Sequence, residues 1–138
     1  MYYTHKAYLN ARGGPSVLTL THDAKRCIAD ANAKAGFIHI ISTCGTTGVK
    51  LMENDTKLHQ EYLDSVQKMF AENDGSQVAR RSGTGANKFH LMAAQCGLEI
   101  TVPFEAGRLN SSPFQEILAF DFEPKSGRRE FIMTIVGE

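Results

Sequence analysis

The fold is decided by the carboxyl-terminal third of the chain, which reads QEILAFDF at residues 115–122 and REFIMTIV at residues 129–136. Both segments are rich in β-branched and aromatic residues, which favour strands. The segment EPKSG between them, at residues 123–127, holds the proline and glycine typical of a turn. We therefore predict that the two segments form an antiparallel pair of strands.

Patterns on either side of this pair predict the other elements. Alternating or continuous apolar residues predict strands at residues 2–10, 16–20, 37–43, 49–52 and 98–104. Helical spacing predicts helices at about residues 21–34, ended by Gly36, and 56–72, with a short helix at residues 87–95. The second helix is expected to bury a stripe made of Leu58, Tyr62, Val66, Met69 and Phe70.

Strands and helices therefore mix without a regular alternation, which is typical of the α+β class. We predict a single domain over residues 1–138, with two longer helices and one short helix packed on a mostly antiparallel or mixed sheet. A sheet of this size leaves unpaired edges, and symmetric oligomers often cover such edges.

Composition narrows the function classes. Fifteen basic and fifteen acidic side chains cancel, so neither a nucleic-acid partner nor a membrane surface is expected. No apolar run reaches the ~18 residues of a membrane span, and the first residues do not resemble a signal peptide, so we expect a cytoplasmic protein. Of the three cysteines, Cys27, Cys44 and Cys96, the first and last are expected to be buried thiols.

His90 is the first candidate for chemistry. It lies near the start of the short helix, where backbone N–H groups and the helix dipole favour an anion. Lys88 and the pair Arg80-Arg81 add positive charge beside a glycine-rich loop. The alternative is a solvated basic loop with a partly buried histidine. Phe89 occupies the position where a P-loop needs a hydroxyl, so an NTPase is excluded.

Further candidates follow strand ends. Cys44 ends an apolar strand beside Gly45 and is either a nucleophile or a small apolar filler. Arg108 follows a turn glycine, from where it can bind a carboxylate or phosphate together with Gln115. Asp121 lies between phenylalanines and needs solvent or a basic partner, so a structural ion pair is equally open for it. The basic residues that could pair with it are Arg108, Arg128 and Arg129.

The histidines other than His90 carry less weight. His39 lies in the middle of an apolar strand and is expected to be a hydrogen-bonded structural side chain. The remaining three are assigned to surface elements: His5, His22 and His59.

Taken together, these segments resemble the YjbQ-like family, which is also described as secondary thiamine-phosphate synthases. The resemblance is clearest in GFIHII at residues 36–41, in LMEND at 51–55, and in residues 85–97 with His90-Leu91. It continues through GRL at 107–109 and VGE at 136–138. It implies an α+β trimer with sites near subunit boundaries. The family's histidine cluster corresponds here to Cys44, Lys88 and His90, of which His90 alone keeps its identity. A family Gly-Thr-Trp-Gln motif appears as residues 112–115, and a family glutamate corresponds to Asp121.

The altered cluster changes the expected chemistry. Three histidines can bind zinc, but the ammonium of Lys88 has no lone pair, so no metal site is predicted. Lys88 instead supplies a fixed positive charge, and the sequence identifies no cofactor.

We expect an anionic, phosphorylated small molecule to be bound by Lys88, Arg108, Gln115 and Asp121. If the protein is an enzyme, the resemblance implies a thiamine-phosphate-synthase-like transferase in which His90 is the general acid or base and Cys44 assists. Two alternatives stay open. One is a non-catalytic trimeric binding or scaffold protein, and the other is a thiol-based activity of Cys44 with His90.

Overall fold

The structure is a computed structural model that describes residues 1–72 and 87–138. Strands and helices alternate irregularly along the chain, as predicted. In order, the elements are β1 (Tyr2–Ala11), β2 (Ser16–Thr19), α1 (Thr21–Asp30), β3 (Ala35–Ser42), β4 (Thr47–Glu53), α2 (Thr56–Met69), α3 (Lys88–Cys96), β5 (Glu99–Glu105), β6 (Arg108–Leu109), β7 (Gln115–Asp121) and β8 (Gly127–Gly137).

The strands form two antiparallel sheets. The larger sheet has the order β1-β8-β3-β5-β6, and the smaller one has the order β2-β7-β4. This arrangement confirms the α+β class. Within the described ranges, no helix is both long and apolar enough to cross a membrane.

The small sheet separates two apolar cores. The first core joins it to the large sheet and α1, through residues such as Ile38, Val102 and Phe131. The second core joins its opposite face to α2 and α3, through residues such as Val66 and Met92. The molecule is therefore built in layers, with the small sheet between the large sheet and the two later helices.

Strand β7 is apolar on both faces because it lies in this middle layer. Ile117 and Ala119 face the first core, whereas Leu118 and Phe120 face the second. The predicted pairing of this strand with β8 is wrong, because β7 pairs with β2 and β4 while β8 pairs with β1 and β3. A continuous apolar run indicates burial on both faces but does not identify the neighbouring strand.

Helix α1 ends earlier than predicted. It stops at Asp30, and Asn32 adopts a left-handed φ of 53° while its N–H bonds to the carbonyl of Ala29. Asparagine tolerates this conformation, which closes helices in the way that glycine does. Gly36 instead belongs to β3, where an added Cβ would lie 2.2 Å from the carbonyl oxygen of Val136.

The buried face of α2 differs from the predicted stripe. Met69 is 57% exposed, whereas His59, assigned to the surface from sequence, is buried. Its Nε2 lies 2.8 Å from the carbonyl oxygen of Glu53. The face is completed by Leu63 and Val66, at the i+4 and i+7 positions from His59.

A buried ion pair joins the two sheets. Arg129 on β8 donates from Nε and Nη2 to the two carboxylate oxygens of Asp121 on β7, at 3.0 and 3.1 Å. The hydroxyl of Thr47 donates to the same carboxylate at 2.8 Å, and Asp121 is fully buried. Of the three arginines that the sequence offered as partners for Asp121, the structure therefore identifies Arg129.

Removing Arg129 should destabilise the fold strongly. Arg129→Met leaves the carboxylate of Asp121 buried and unpaired, so the free energy of unfolding in urea should fall by about 3–5 kcal/mol. The matched control is Arg128→Met, because Arg128 is an exposed neighbour that stacks on Tyr8, and this substitution should cost below about 1 kcal/mol. Equal losses for the two variants would contradict the role given to this ion pair.

Candidate functional site

Cys44 lies in the turn that follows β3. The hydroxyl of Ser42 donates to the carbonyl of Cys44 at 3.0 Å and accepts from its backbone N–H at 3.2 Å. These two bonds fix the start of the turn, and the side chain of Cys44 remains half-buried. The turn therefore presents a thiol from a defined backbone position.

Polar partners lie directly beside this thiol. Its Sγ is 3.2 Å from the hydroxyl oxygen of Thr46, and that hydroxyl donates to Glu123 Oε1 at 3.2 Å. Because the hydroxyl has one proton, donating it to Glu123 leaves the oxygen to accept from the thiol. Thr46 thereby connects Cys44 to a carboxylate.

Arg129 lies close enough to Cys44 and Glu123 to interact with them electrostatically. Burial alone would lower the pKa of its guanidinium, but the hydrogen bonds and charge of Asp121 outweigh that effect and raise the pKa. Negative charge on Cys44 or Glu123 raises it further. The ion pair between the sheets therefore lies within electrostatic reach of the Cys44 turn.

His90 covers the same turn from α3. A Cβ added at Gly45 would lie 3.4 Å from His90 Cδ2 and 3.9 Å from Nε2, so the imidazole edge lies against this glycine. The other ring nitrogen, Nδ1, is buried and has no hydrogen-bond partner in the part of the chain that the structure describes. The structure therefore brings together the Cys44 turn and His90, as the family resemblance implies.

The beginning of α3 lacks a side-chain cap. Asn87 precedes the helix but makes no capping hydrogen bond, and its Oδ1 is also buried with no partner among the described residues. By contrast, α2 is capped by Asp55, whose Oδ1 accepts from the N–H groups of Lys57 and Leu58. The first turn of α3 contains Lys88 and no acidic residue. The predicted glycine-rich loop and Arg80-Arg81 lie outside the described residues.

Arg108 and Gln115 border a separate cavity. Its volume is about 440 Å³. Arg108 extends from the hairpin between β5 and β6, whose turn residues Ala106 and Gly107 have φ values of 53° and 72°. The side chain of Gln115 holds the wall of the cavity, because its Oε1 accepts from Ser112 N at 3.0 Å and its Nε2 donates to a carboxylate oxygen of Glu53 at 3.2 Å.

The predicted site residues thus fall into two groups within one chain. Gln115 and Asp121 lie at opposite ends of β7, about 20 Å apart at roughly 3.3 Å per residue. Cys44 and His90 lie at the Asp121 end, and Arg108 lies at the Gln115 end. The expectation of one pocket lined by Lys88, His90 and Arg108 is therefore not met in a single chain. Asp121 has no exposed surface, so it can reach a ligand only through its partners.

Zinc does not fit the group around Cys44. Among the described residues, no three His, Cys, Asp or Glu side chains are grouped so as to hold a metal ion. Cys44 and His90 are two potential ligands, but the third family position is Lys88, whose ammonium cannot coordinate a cation.

Three contributors were missed from sequence. Thr46 and Glu123 meet because β4 pairs with β7, with Thr47 opposite Asp121, and Lys25 reaches the cavity from α1. The alternation of β7 does not identify its partner strand, so no local pattern pointed to these contacts. His39, as predicted, is hydrogen-bonded: its Nε2 lies 3.1 Å from Glu99 Oε2.

Comparison with known proteins gives a match over residues 5–138 to a family model described as UPF0047 protein YjbQ-like. A UPF0047 protein of Archaeoglobus fulgidus is 23% identical over 119 residues, covering 86% of this chain and 90% of that protein. The crystal structure of a YbjQ-like protein of unknown function from Sulfolobus solfataricus P2 has a TM-score of 0.87 at 19% identity, covering 100% of this chain and 99% of that one.

A hypothetical protein from Aeropyrum pernix K1 has a similar structure, with a TM-score of 0.86 at 17% identity and 99% of each chain covered. At these identities the two crystal structures show the fold alone. The family model and the fold together confirm the resemblance seen in the sequence.

The three thiols should differ in reactivity. Burial, with the charge of Asp30 adding to it, raises the pKa of Cys27 to about 11, and burial also raises the pKa of Cys96. We expect iodoacetamide at neutral pH to label Cys44 well before the other two, since both need local opening to react. Peptide mass spectrometry over time measures this, with Cys44→Ser as the control. Faster labelling of Cys27 or Cys96 would contradict the prediction.

Proposed function

The chain belongs to the UPF0047 protein YjbQ-like family, and we propose that it binds a phosphorylated small molecule where the Cys44 turn meets the start of α3. One observation carries this proposal: Asn87 Oδ1 and His90 Nδ1 are both buried there, and neither has a hydrogen-bond partner among residues 1–72 and 87–138. A buried polar atom left unpaired costs about 1–3 kcal/mol. A ligand that supplies a hydroxyl or a protonated phosphate oxygen to these atoms recovers that energy.

The charge at this corner favours an anion. The N-terminus of α3 contributes roughly half a positive charge, and Lys88 lies in its first turn. Arg129 contributes less, because Asp121 already neutralises it. Glu123 opposes an anion, but its carboxylate faces Thr46. We therefore assign the positive character of this corner to Lys88 together with the start of α3.

Catalysis at this corner would rest on His90. The resemblance favours a thiamine-phosphate-synthase-like transferase, in which a phosphorylated metabolite is joined to a second group. His90 would take the proton released by the attacking atom, while Lys88 compensates the charge on the phosphate. Cys44 precedes Gly45, against which the imidazole of His90 lies, and would contact the reacting end of the ligand. Lys88 takes the position of a family histidine, so a fixed charge replaces the role of a metal.

Loss of Lys88 should weaken binding selectively. Lys88→Gln should reduce the affinity for a thiazole phosphate by about tenfold or more in isothermal titration calorimetry, because it removes a charge-assisted contact. Lys57→Gln is the matched control, since Lys57 lies in the first turn of the capped helix α2, and it should bind normally. His90→Ala should abolish any turnover.

Two results would contradict this account. One is equal binding by the Lys88→Gln and Lys57→Gln variants. The other is one tightly bound zinc per purified chain, because zinc would then hold the position given to the charge of Lys88. Binding that persists without detectable turnover, in wild type and in His90→Ala, would favour the second candidate function.

That second candidate is a non-catalytic homotrimer that serves as a binding or scaffold protein. It is favoured by the outer face of the large sheet, where Tyr2, Val136 and Phe37 are 75%, 53% and 56% exposed. Register places Val136 opposite both Tyr2 and Phe37, and Pro103 opposite Phe37, so apolar side chains cross four strands in one row. A large contiguous apolar patch on a protein surface often marks a site where another protein binds.

The outer face can be tested by mass. We expect wild-type protein to sediment at three times the 15.2 kDa chain mass, and Phe37→Glu to sediment as the monomer because a charge is placed inside the apolar row. Met69→Glu is the control, since Met69 is equally exposed but lies on α2. A monomeric wild type, or a Phe37→Glu variant that still trimerises, would contradict a trimer formed through this face.

A further inference from the structure

The cavity beside Arg108 is a second candidate for ligand binding, about 20 Å along β7 from the Cys44 turn. Its volume of about 440 Å³ lies in the range of small-molecule sites. Its lining combines basic and hydroxyl groups with aliphatic side chains. The principal lining residues are Lys25, Arg108, Ser111, Leu51, Leu109 and Ile117.

Two basic side chains at this cavity have their charges available. Lys25 and Arg108 both border it and are exposed. Within residues 1–72 and 87–138, neither forms a salt bridge. Two like charges that share one cavity repel each other, and an anion between them relieves that repulsion.

The acidic residue at the cavity is already engaged. Glu116 Oε2 accepts a hydrogen bond from the hydroxyl of Thr21, which is the first residue of α1. A carboxylate at a helix N-terminus is stabilised by the helix dipole. The same hydroxyl oxygen accepts from the N–H of Ile117 at 2.9 Å, which fixes the wall. Glu116 is therefore held by α1 and leaves Lys25 and Arg108 to face a ligand.

The hairpin holds Arg108 in place. The N–H of Gly107 donates to the carbonyl of Lys34 at 2.9 Å, and the N–H of Asn110 donates to that of Pro103 at 2.8 Å. The two-residue turn requires positive φ at both Ala106 and Gly107, as in a type I′ hairpin. A guanidinium carried on a fixed hairpin loses less freedom on binding than one on a loose loop.

We propose that this cavity binds a small amphipathic anion, in which one phosphate or carboxylate group is attached to an apolar ring or short chain. The charged group lies between Arg108 and Lys25, and the apolar part lies against Leu51, Leu109 and Ile117. Arg108 and Gln115 thereby keep a binding role, with Gln115 shaping the wall, but at a site separate from His90. The inference does not depend on the function proposed for the Cys44 turn.

Phenyl phosphate is a suitable probe because it joins a dianion to an apolar ring. Titrations are made in the Lys88→Gln/His90→Ala double variant, which lacks the groups proposed to bind phosphate at the other site. We expect phenyl phosphate to bind it, inorganic phosphate to bind more weakly and benzyl alcohol not to bind. Adding Arg108→Gln or Lys25→Gln to the double variant should reduce its affinity for phenyl phosphate by about tenfold or more.

The control is Arg26→Gln, because Arg26 is the exposed neighbour of Lys25 on α1 but does not line the cavity. It should leave the affinity unchanged. Three outcomes would overturn the proposal: no binding of phenyl phosphate by the double variant, equal losses with Arg26→Gln and Arg108→Gln, or equal binding of phenyl phosphate and benzyl alcohol. Failure of the site at the Cys44 turn would appear instead as unchanged affinity for the thiazole phosphate when Lys88→Gln is introduced. The two failures are therefore distinguishable.

Discussion

The bidentate ion pair between Asp121 and Arg129 is the contact on which the rest of the structure depends. It joins the small sheet to the large one at the end of the molecule where β3 gives way to the Cys44 turn. Two charges are stable in this position because each has several hydrogen bonds, including those from Thr47 and to the carbonyl of Lys125. The guanidinium of Arg129 also interacts electrostatically with Cys44, so the contact that joins the sheets adjoins the candidate site.

The two ends of β7 provide different chemistry because the strand runs through the middle layer. Its apolar centre is buried on both faces and offers nothing to a ligand. The polar groups of both candidate sites lie at the two ends of β7, where the layers end. At one end, α3 brings His90 and an uncapped helix start to the Cys44 turn. At the other end, a hairpin brings Arg108 to an open cavity. The two anion sites that we propose are therefore each built from a strand end and a neighbouring helix.

Local sequence predicted the elements well and their neighbours poorly. The apolar run at residues 115–122 identified the strand β7, and helical spacing placed α3 within one residue at each end, because both depend on nearby residues. The pairing of β7 with β8 was wrong because two strands joined by a short turn usually pair, and only the packing of whole layers separates these two. For the same reason, the sequence grouped Arg108 with His90, although the structure places them at opposite ends of β7. The family resemblance, and no spacing in the chain, grouped His90 with Cys44.

The central claim is that the Cys44 turn and the start of α3 form one anion-binding corner. Its most direct test is a titration of ¹⁵N-labelled protein with a thiazole phosphate, followed by the backbone amide resonances. The account predicts saturable shifts centred on Gly45, Lys88, Phe89 and His90, because these amides surround the proposed phosphate position. The account would be contradicted if the resonances of these four amides did not shift at ligand concentrations that saturate binding.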